Sequence, residues 1–228
     1  MNHIRQKGIR KSGDRIIMKK QEFLNTCGEV SAFHIPRWHE LPEFDLYMDQ
    51  VIALAEKYLS VLSVDGKDLL TPSMINNYVK SGVLPPPKNK KYNRTHLAIL
   101  MIVCITKPVM EISAISEIIH RGIEADQMEN VLNGLASKFE NELASAAQTA
   151  SETAKNSSHE EILSLIAIEN VMKANAARTI AMHAYNAIKT DEPEDTAKTE
   201  KAEKKAEKKK AKKEAEHQET AEKSEENA

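Results

Sequence analysis

Amide, hydroxyl and cationic side chains are concentrated between residues 73 and 94, and their spacing suits contact with a polyanion. The first group occupies a short predicted helix, and the second follows a run of three prolines. Asparagine amides can form paired hydrogen bonds with adenine edges, whereas lysine and arginine neutralise phosphates. The pattern predicts a nucleic-acid contact surface made of Ser73, Asn76, Asn77, Lys80, Lys88, Lys90, Lys91, Tyr92 and Arg94.

Each group also has a structural interpretation that needs no ligand. The polar residues of the short helix can be a solvated face opposite Met74, Ile75, Tyr78 and Val79. The cationic residues can be a surface charge run. The ring of Tyr92 can pack on the core or hydrogen-bond to a phosphate, and packing is favoured of the two.

Local signals fix the elements that would position these residues. Thr71 is a natural N-cap and Pro72 a suitable first helical residue, so a helix is predicted to about residue 81, with Gly82 as its stop. The prolines 85–87 then hold the chain extended and set the distance to the basic segment. A proline-rich docking motif is the alternative, although the run is short and enclosed by predicted core segments. Asn93 is a candidate cap for an apolar helix over residues 94–106.

Apolar periodicity predicts further helices and an all-α, mostly helical fold. Residues 21–44 are predicted to form a short helix and an irregular segment around Trp38. Helices follow over residues 46–64, 113–122, 124–150 and 158–189, the last two with possible capping pairs at Asp126–Glu129 and Ser158–Glu161. The 158–189 helix has more apolar positions than a lone surface helix needs. It is predicted to form a dimer contact, to pack on residues 124–150, or to do both.

The charge distribution suggests four regions. Residues 1–20 contain seven Lys or Arg and one Asp, and they are predicted to be a disordered basic leader in which Met18 is a candidate native start. A winged helix-turn-helix domain is predicted for residues 21–122, because a short capped helix, a rigid proline turn and a basic extended segment between core helices are the parts it needs. Residues 123–189 are predicted to form a helical dimerisation or effector region. Residues 190–228 are rich in Lys, Glu and Ala, which predicts a disordered or single-helix tail.

Several classes of protein find no support in the sequence. The chain begins without an apolar signal segment, and its longest apolar run is too short for a membrane span, so a cytoplasmic location is expected. Cys27, His34 and His39 match no standard zinc spacing, and Cys104 lies in an apolar run typical of a buried thiol. No residue cluster supports catalysis, and neither a metal nor a cofactor is expected.

The segment from residue 71 onward carries a family resemblance. TPSMINNYVKSGVLPPPKNKKYNRTHLAILMIVCI, followed by ISAISEII, resembles the DNA-binding part of MerR-type regulators. The matching positions are Thr71, Ser73, Ile75, Tyr78, Gly82, Leu84, Pro86, Lys88, Tyr92, Leu97, Leu100, Ile102 and Ile118. The phrase MINNYVKSGVLPPPKNKKYNRTHLA more closely resembles the bacterial domain-of-unknown-function family numbered eighteen thirty-six, which is treated as winged helix-turn-helix proteins. The match extends over about residues 44–122.

The resemblance implies a winged helix-turn-helix that binds promoter DNA, with departures at two positions. Asn76 and Asn93 stand where the MerR-type regulators have arginine, and no metal-binding cysteine pair follows Cys104. The expected function is transcription regulation by a homodimer on double-stranded DNA, with any small-molecule effector unknown. The alternative is a helical protein-interaction or scaffold module that does not bind DNA.

Overall fold

A computed structural model of the chain describes residues 2–63, 66–122 and 127–189. Those ranges contain seven α-helices, 3₁₀ helices at Trp38–Glu40 and Ser60–Leu62, and one two-stranded sheet, so the mostly helical prediction is confirmed. The α-helices are α1 (Asn2–Ser31), α2 (Met48–Leu59), α3 (Pro72–Lys80), α4 (Arg94–Thr106), α5 (Ile112–Gly122), α6 (Met128–Asn156) and α7 (Ile162–Lys189). The strands are β1 (Leu46–Tyr47) and β2 (Lys91–Tyr92).

The central element of the core is α4. All residues from His96 to Cys104 are buried, because α2, α5, α6 and β2 all pack against this helix. A helix that is apolar on every side can only be stable when it is enclosed in this way. Leu97, Leu100 and Val103 are each no more than 1% exposed. The helix thereby provides a rigid support for the segment that precedes it, which carries the basic residues.

The small sheet connects the start of α2 to the basic segment. β1 and β2 are antiparallel, with Leu46 opposite Tyr92 and Tyr47 opposite Lys91. Leu46 and Tyr92 point into the core, whereas Tyr47 is exposed and Lys91 is partly exposed. The pairing fixes the position of β2 relative to α2, although 43 residues separate Tyr47 from Lys91 in a chain where no local signal links them.

A second apolar cluster is formed by residues of α1, α6 and α7. Ala147, Ala150 and Ala154 of α6 are buried with Cys27 of α1, and Ile166 of α7 belongs to the same cluster. Small side chains on α6 allow the helix backbones to approach each other closely. The predicted leader over residues 1–20 is therefore replaced by a helix, since α1 is continuous from Asn2 to Ser31 and its C-terminal half is anchored on α6.

Helix boundaries differ from the sequence predictions at the C-terminal side. The helix predicted for residues 124–150 begins at Met128 and continues to Asn156, so the polar stretch that follows residue 144 is mostly a helix continuation. α7 begins at Ile162, four residues after the predicted start. The capping residue predicted at Asp126 and the tail at residues 190–228 lie outside the described residues.

The chain divides into two compact units, residues 1–180 and 181–228. The first unit contains both apolar clusters, and α6 contributes to each of them. In the second unit the described residues are the last nine of α7, where the ammonium of Lys189 lies 5.7 Å from the ring centroid of Tyr185. Within the described ranges, no helix has the length and apolar character required to cross a membrane.

Candidate nucleic-acid interface

The orientation of α3 is set by its cap and its buried residues. The hydroxyl of Thr71 accepts a hydrogen bond from the amide of Met74 at 3.2 Å, and Pro72 occupies the first turn, as predicted. Ile75 and Tyr78 are buried beneath the helix. With those two positions fixed, helical geometry directs the polar side of α3 to solvent. The exposed residues are Ser73, Asn76, Asn77 and Lys80.

The end of α3 is also fixed by local hydrogen bonds. The hydroxyl of Ser81 donates to the carbonyl of Asn77 at 2.8 Å, and the amide of Leu84 donates to the carbonyl of Tyr78 at 3.1 Å. Gly82 adopts a φ of +78°, a backbone conformation that residues with a Cβ atom rarely take. Val83 and Leu84 are then buried, which confirms Gly82 as the helix stop and anchors the chain just before the prolines.

The basic segment forms a tight hairpin, for which we use the name basic hairpin (residues 88–91). The amide of Lys91 donates to the carbonyl of Lys88 at 2.9 Å, and these two residues form an antiparallel bridge. Between them Asn89 and Lys90 have φ of 53° and 61°, the left-handed pair that a two-residue hairpin requires. Asparagine tolerates this conformation well, whereas lysine does so at a cost of about 1 kcal/mol. Lys88 and Lys90 are exposed at the tip.

Lys91 and Tyr92 occupy the strand that follows the turn. The ammonium of Lys91 lies 5.0 Å from the ring centroid of Tyr47 on the paired strand, a cation–π contact at the surface. Tyr92 is 2% exposed and its ring meets the ring of His96 edge-on at 5.6 Å. Burial raises the pKa of the Tyr92 phenol. The favoured prediction, that Tyr92 packs on the core, is confirmed.

Arg94 was predicted to neutralise a phosphate, but in the structure its side chain is engaged within the protein. Its Nε donates to the carbonyl of Pro42 at 3.4 Å, and its Nη2 lies 3.3 Å from the carboxylate of Glu43. The guanidinium also lies over the ring of Trp38, 5.5 Å from the centroid. These partners are at least 50 residues earlier in the chain, so no local pattern could indicate them. Arg94 is therefore left out of the candidate interface.

One groove brings the polar face of α3 and the basic hairpin together. This groove, which we call the α3–hairpin groove, has a volume of about 900 Å³ and lies between the start of α2, α3 and the hairpin. Asn76 lines it from α3, and Lys90 lines it from the hairpin. Its full lining is Tyr47, Met48, Asp49, Ile52, Pro72, Asn76, Pro87, Lys90 and Tyr92. The sequence interpretation did not include Tyr47 or Asp49, which reach the groove through the pairing of β1 with β2 and the packing of α2 against α3 and β2.

His96 supports the proline run from the first turn of α4. Asn93 caps this helix as predicted, since its side-chain oxygen accepts from the amide of His96 at 3.2 Å, while its own amide donates to Nδ1 of His96 at 3.1 Å. Nδ1 of His96 also lies 2.5 Å from the side-chain oxygen of Asn93, so both groups of the cap hold the ring in place. Burial lowers the pKa of His96 below its ordinary value of 6.5, and the backbone of Pro85 and Pro86 partly opposes that effect.

Protonation of His96 is expected to destabilise the fold in mild acid. Below pH 6.5 the unfolded chain binds a proton at this position that the folded chain binds more weakly, so the free energy of unfolding decreases as the pH is lowered. Chemical denaturation at pH 7.5, 6.5 and 5.5 measures this slope. His96→Gln should flatten it, whereas His120→Gln, at an exposed position on α5, should not. If the free energy of unfolding changes equally with pH in wild type and His96→Gln, His96 is not the residue responsible for the acid destabilisation.

The residues considered for metal chemistry do not form a site. Cys27 is buried between α1 and α6, and His34 pairs instead with the carboxylate of Glu40, at 2.9 Å. Among the residues that the structure describes, no group of three or more His, Cys, Asp or Glu side chains could hold a metal ion. Cys104 is buried as predicted, and its burial raises the pKa of its thiol to about 11.

Comparison with protein families gives a match over the middle of the chain. Residues 36–142 match the family model described as Domain of unknown function (DUF1836), in agreement with the resemblance noted for this segment. The matched region runs from the segment before the 3₁₀ helix at Trp38 to the middle of α6, and it includes α3, the basic hairpin and α4. No curated protein and no solved structure matches the chain.

Proposed function

We propose that this protein is a transcription regulator that binds double-stranded DNA through α3 and the basic hairpin. The observation that carries the proposal is the α3–hairpin groove, which is lined both by Asn76 of α3 and by Lys90 of the basic hairpin. A capped helix with an exposed polar side, next to a basic hairpin held by a strand pair, has the parts of a winged helix-turn-helix. We propose a MerR-like domain of this type for residues 21–122, acting on promoter DNA in the cytoplasm.

The two elements have different tasks in this proposal. α3 enters the major groove, where Asn76 and Asn77 can form paired hydrogen bonds with adenine. Ser73 and Lys80 lie on the same exposed side of the helix and contact the adjoining backbone. The tip of the basic hairpin neutralises phosphates and sets the orientation of the protein without reading the sequence.

We also propose that the protein acts as a homodimer through α7. Leu165, Ile168 and Met172 lie on one side of this helix, spaced by three and four residues, and each is more than half exposed. Ile162 and Ile166, on a different side, are buried against α6 and α1. The helix is therefore anchored by one side and presents a second apolar side, as expected for a contact with another copy. Dimers of helix-turn-helix proteins bind paired half-sites.

Selection of duplexes from a random pool tests the proposal directly. The full chain is mixed with a random double-stranded library at about 0.1 M salt, where phosphate contacts still contribute strongly. We expect a palindromic or repeated site to be enriched, with half-site centres about one helical turn apart if a dimer binds. No enrichment over a library carried through without protein would overturn the proposal.

A protein-interaction module is the second candidate function. A smaller groove of about 290 Å³ lies between α4 and α6, lined mainly by apolar side chains that include Ile105, Leu132, Leu135 and Phe139. Leu135 is 45% exposed, so this surface could receive an apolar segment of a partner. A failed DNA selection would favour this candidate.

A further inference from the structure

The α3–hairpin groove contains a feature that opposes the proposed DNA contact. Asp49, in the first turn of α2, lines the same groove as Lys90 and Asn76. The other two residues of α2 that line the groove, Met48 and Ile52, have apolar side chains. A phosphodiester strand lying between α3 and the hairpin would meet one cation and one carboxylate in the same depression.

The local structure gives Asp49 only a modest structural role. The N-terminus of α2 is capped by Gln50, whose side-chain oxygen accepts a hydrogen bond from the amide of Tyr47 at 2.9 Å. Asp49 is exposed, so its contribution to the helix is limited to the favourable placement of a negative charge near an N-terminus. An uncharged polar residue would preserve most of that contribution.

We infer that Asp49 limits the affinity of the groove for a phosphodiester strand, and that it does so equally for every DNA sequence. The inference rests on the proposed function. Two negative charges within a Debye length of about 10 Å at 0.1 M salt repel each other appreciably. The apolar side chains of Met48 and Ile52, which line the groove, suit the carbon face of a deoxyribose, which carries no sequence information. Asp49 thereby lowers the backbone contribution to binding and increases the relative weight of base contacts from α3.

Asp49→Asn tests this role because it removes the charge and retains the size. In fluorescence-anisotropy titrations of the full chain, we expect the dissociation constant to fall by about threefold to tenfold at 0.1 M salt. The decrease should be the same for a selected duplex and a scrambled duplex, and it should shrink as the salt concentration rises. A small decrease in melting temperature is expected for the same variant, because the helix loses its N-terminal charge.

Asp45→Asn is the matched control. Asp45 is exposed and lies four residues earlier, but it does not line the groove. Its substitution should change the affinity for both duplexes by less than about twofold. Unchanged or weaker binding by Asp49→Asn would overturn the inference, and so would a gain confined to one sequence, which would indicate a base contact. If wild type binds neither duplex, the proposed function itself fails, whereas binding by wild type without the Asp49 effect refutes the inference alone.

Discussion

Replacing Lys88 and Lys90 together with glutamine is expected to weaken duplex binding by about tenfold to a hundredfold at 0.1 M salt. Both side chains are exposed at the tip of the basic hairpin, and Lys90 also lines the α3–hairpin groove. Each phosphate contact that is lost lowers the magnitude of the slope of log K against log salt by about 0.9. The double variant should therefore lose about 1.8 from the slope, and titrations at four salt concentrations measure it.

Two other variants separate charge effects from sequence reading. Lys138→Gln removes an exposed charge on α6, away from the α3–hairpin groove, and should leave both the affinity and the slope nearly unchanged. Asn77→Ala removes an amide from the exposed side of α3. If that amide reads a base, its loss costs about 1 to 3 kcal/mol on the selected site only and does not alter the slope. If the slope of log K against log salt in the Lys88/Lys90 variant equals that of wild type, the hairpin does not contact phosphates.

The parts of the candidate interface that could be predicted are those encoded by neighbouring residues. The cap at Thr71 and the stop at Gly82 define α3 within one residue, because each depends on hydrogen bonds or dihedral angles inside a few residues of chain. The cap at Asn93 has the same local origin, and α4 spans the predicted range. With the ends fixed, the apolar positions of α3 determine which of its side chains face solvent.

Residues whose environment depends on distant segments could not be predicted. Arg94 follows three nearby lysines in the chain, so its sequence context suggests a phosphate contact. Its actual partners, Trp38, Pro42 and Glu43, are brought next to it by tertiary packing. The α3–hairpin groove has the same origin, because the packing of α2 against α3 and β2 brings Asp49 and Lys90 to the same groove.

Composition was misleading for the N-terminal region. Seven cationic residues among the first twenty indicate a solvated leader, whereas α1 extends over Asn2–Ser31. Packing accounts for the difference, since the apolar side chains that anchor α1, such as Phe23 and Cys27, lie in its C-terminal half and contact α6 and α7. A helix stabilised by tertiary contacts at one end can continue beyond them when no proline interrupts it.

Glu140→Gln is expected to lower the free energy of unfolding by about 2 to 3 kcal/mol at pH 7. Glu140 on α6 is largely buried, and its carboxylate accepts from the guanidinium of Arg37 at 2.9 Å and from the amide of Ile35 at 2.6 Å. The ring of His34 lies 3.3 Å from the same carboxylate. This contact ties α6 to the segment that precedes α2, so its loss weakens the connection between α6 and that segment. Urea denaturation of the two proteins measures the difference.

The pH dependence of that difference distinguishes a charge effect from a packing effect. Burial by itself would raise the pKa of Glu140, but the hydrogen bonds from Arg37 and Ile35 outweigh it and lower the pKa below the ordinary value of 4.5. The carboxylate therefore contributes its full stability above pH 4.5, and the contribution disappears as the pH falls through the lowered pKa. The difference in the free energy of unfolding between wild type and Glu140→Gln should therefore decrease over that acid range. Glu142→Gln, at an exposed position two residues later, should cost less than about 0.5 kcal/mol at any pH. If the difference in the free energy of unfolding stays constant in acid, the packing of the side chain, and not its ionised pair with Arg37, accounts for the lost stability.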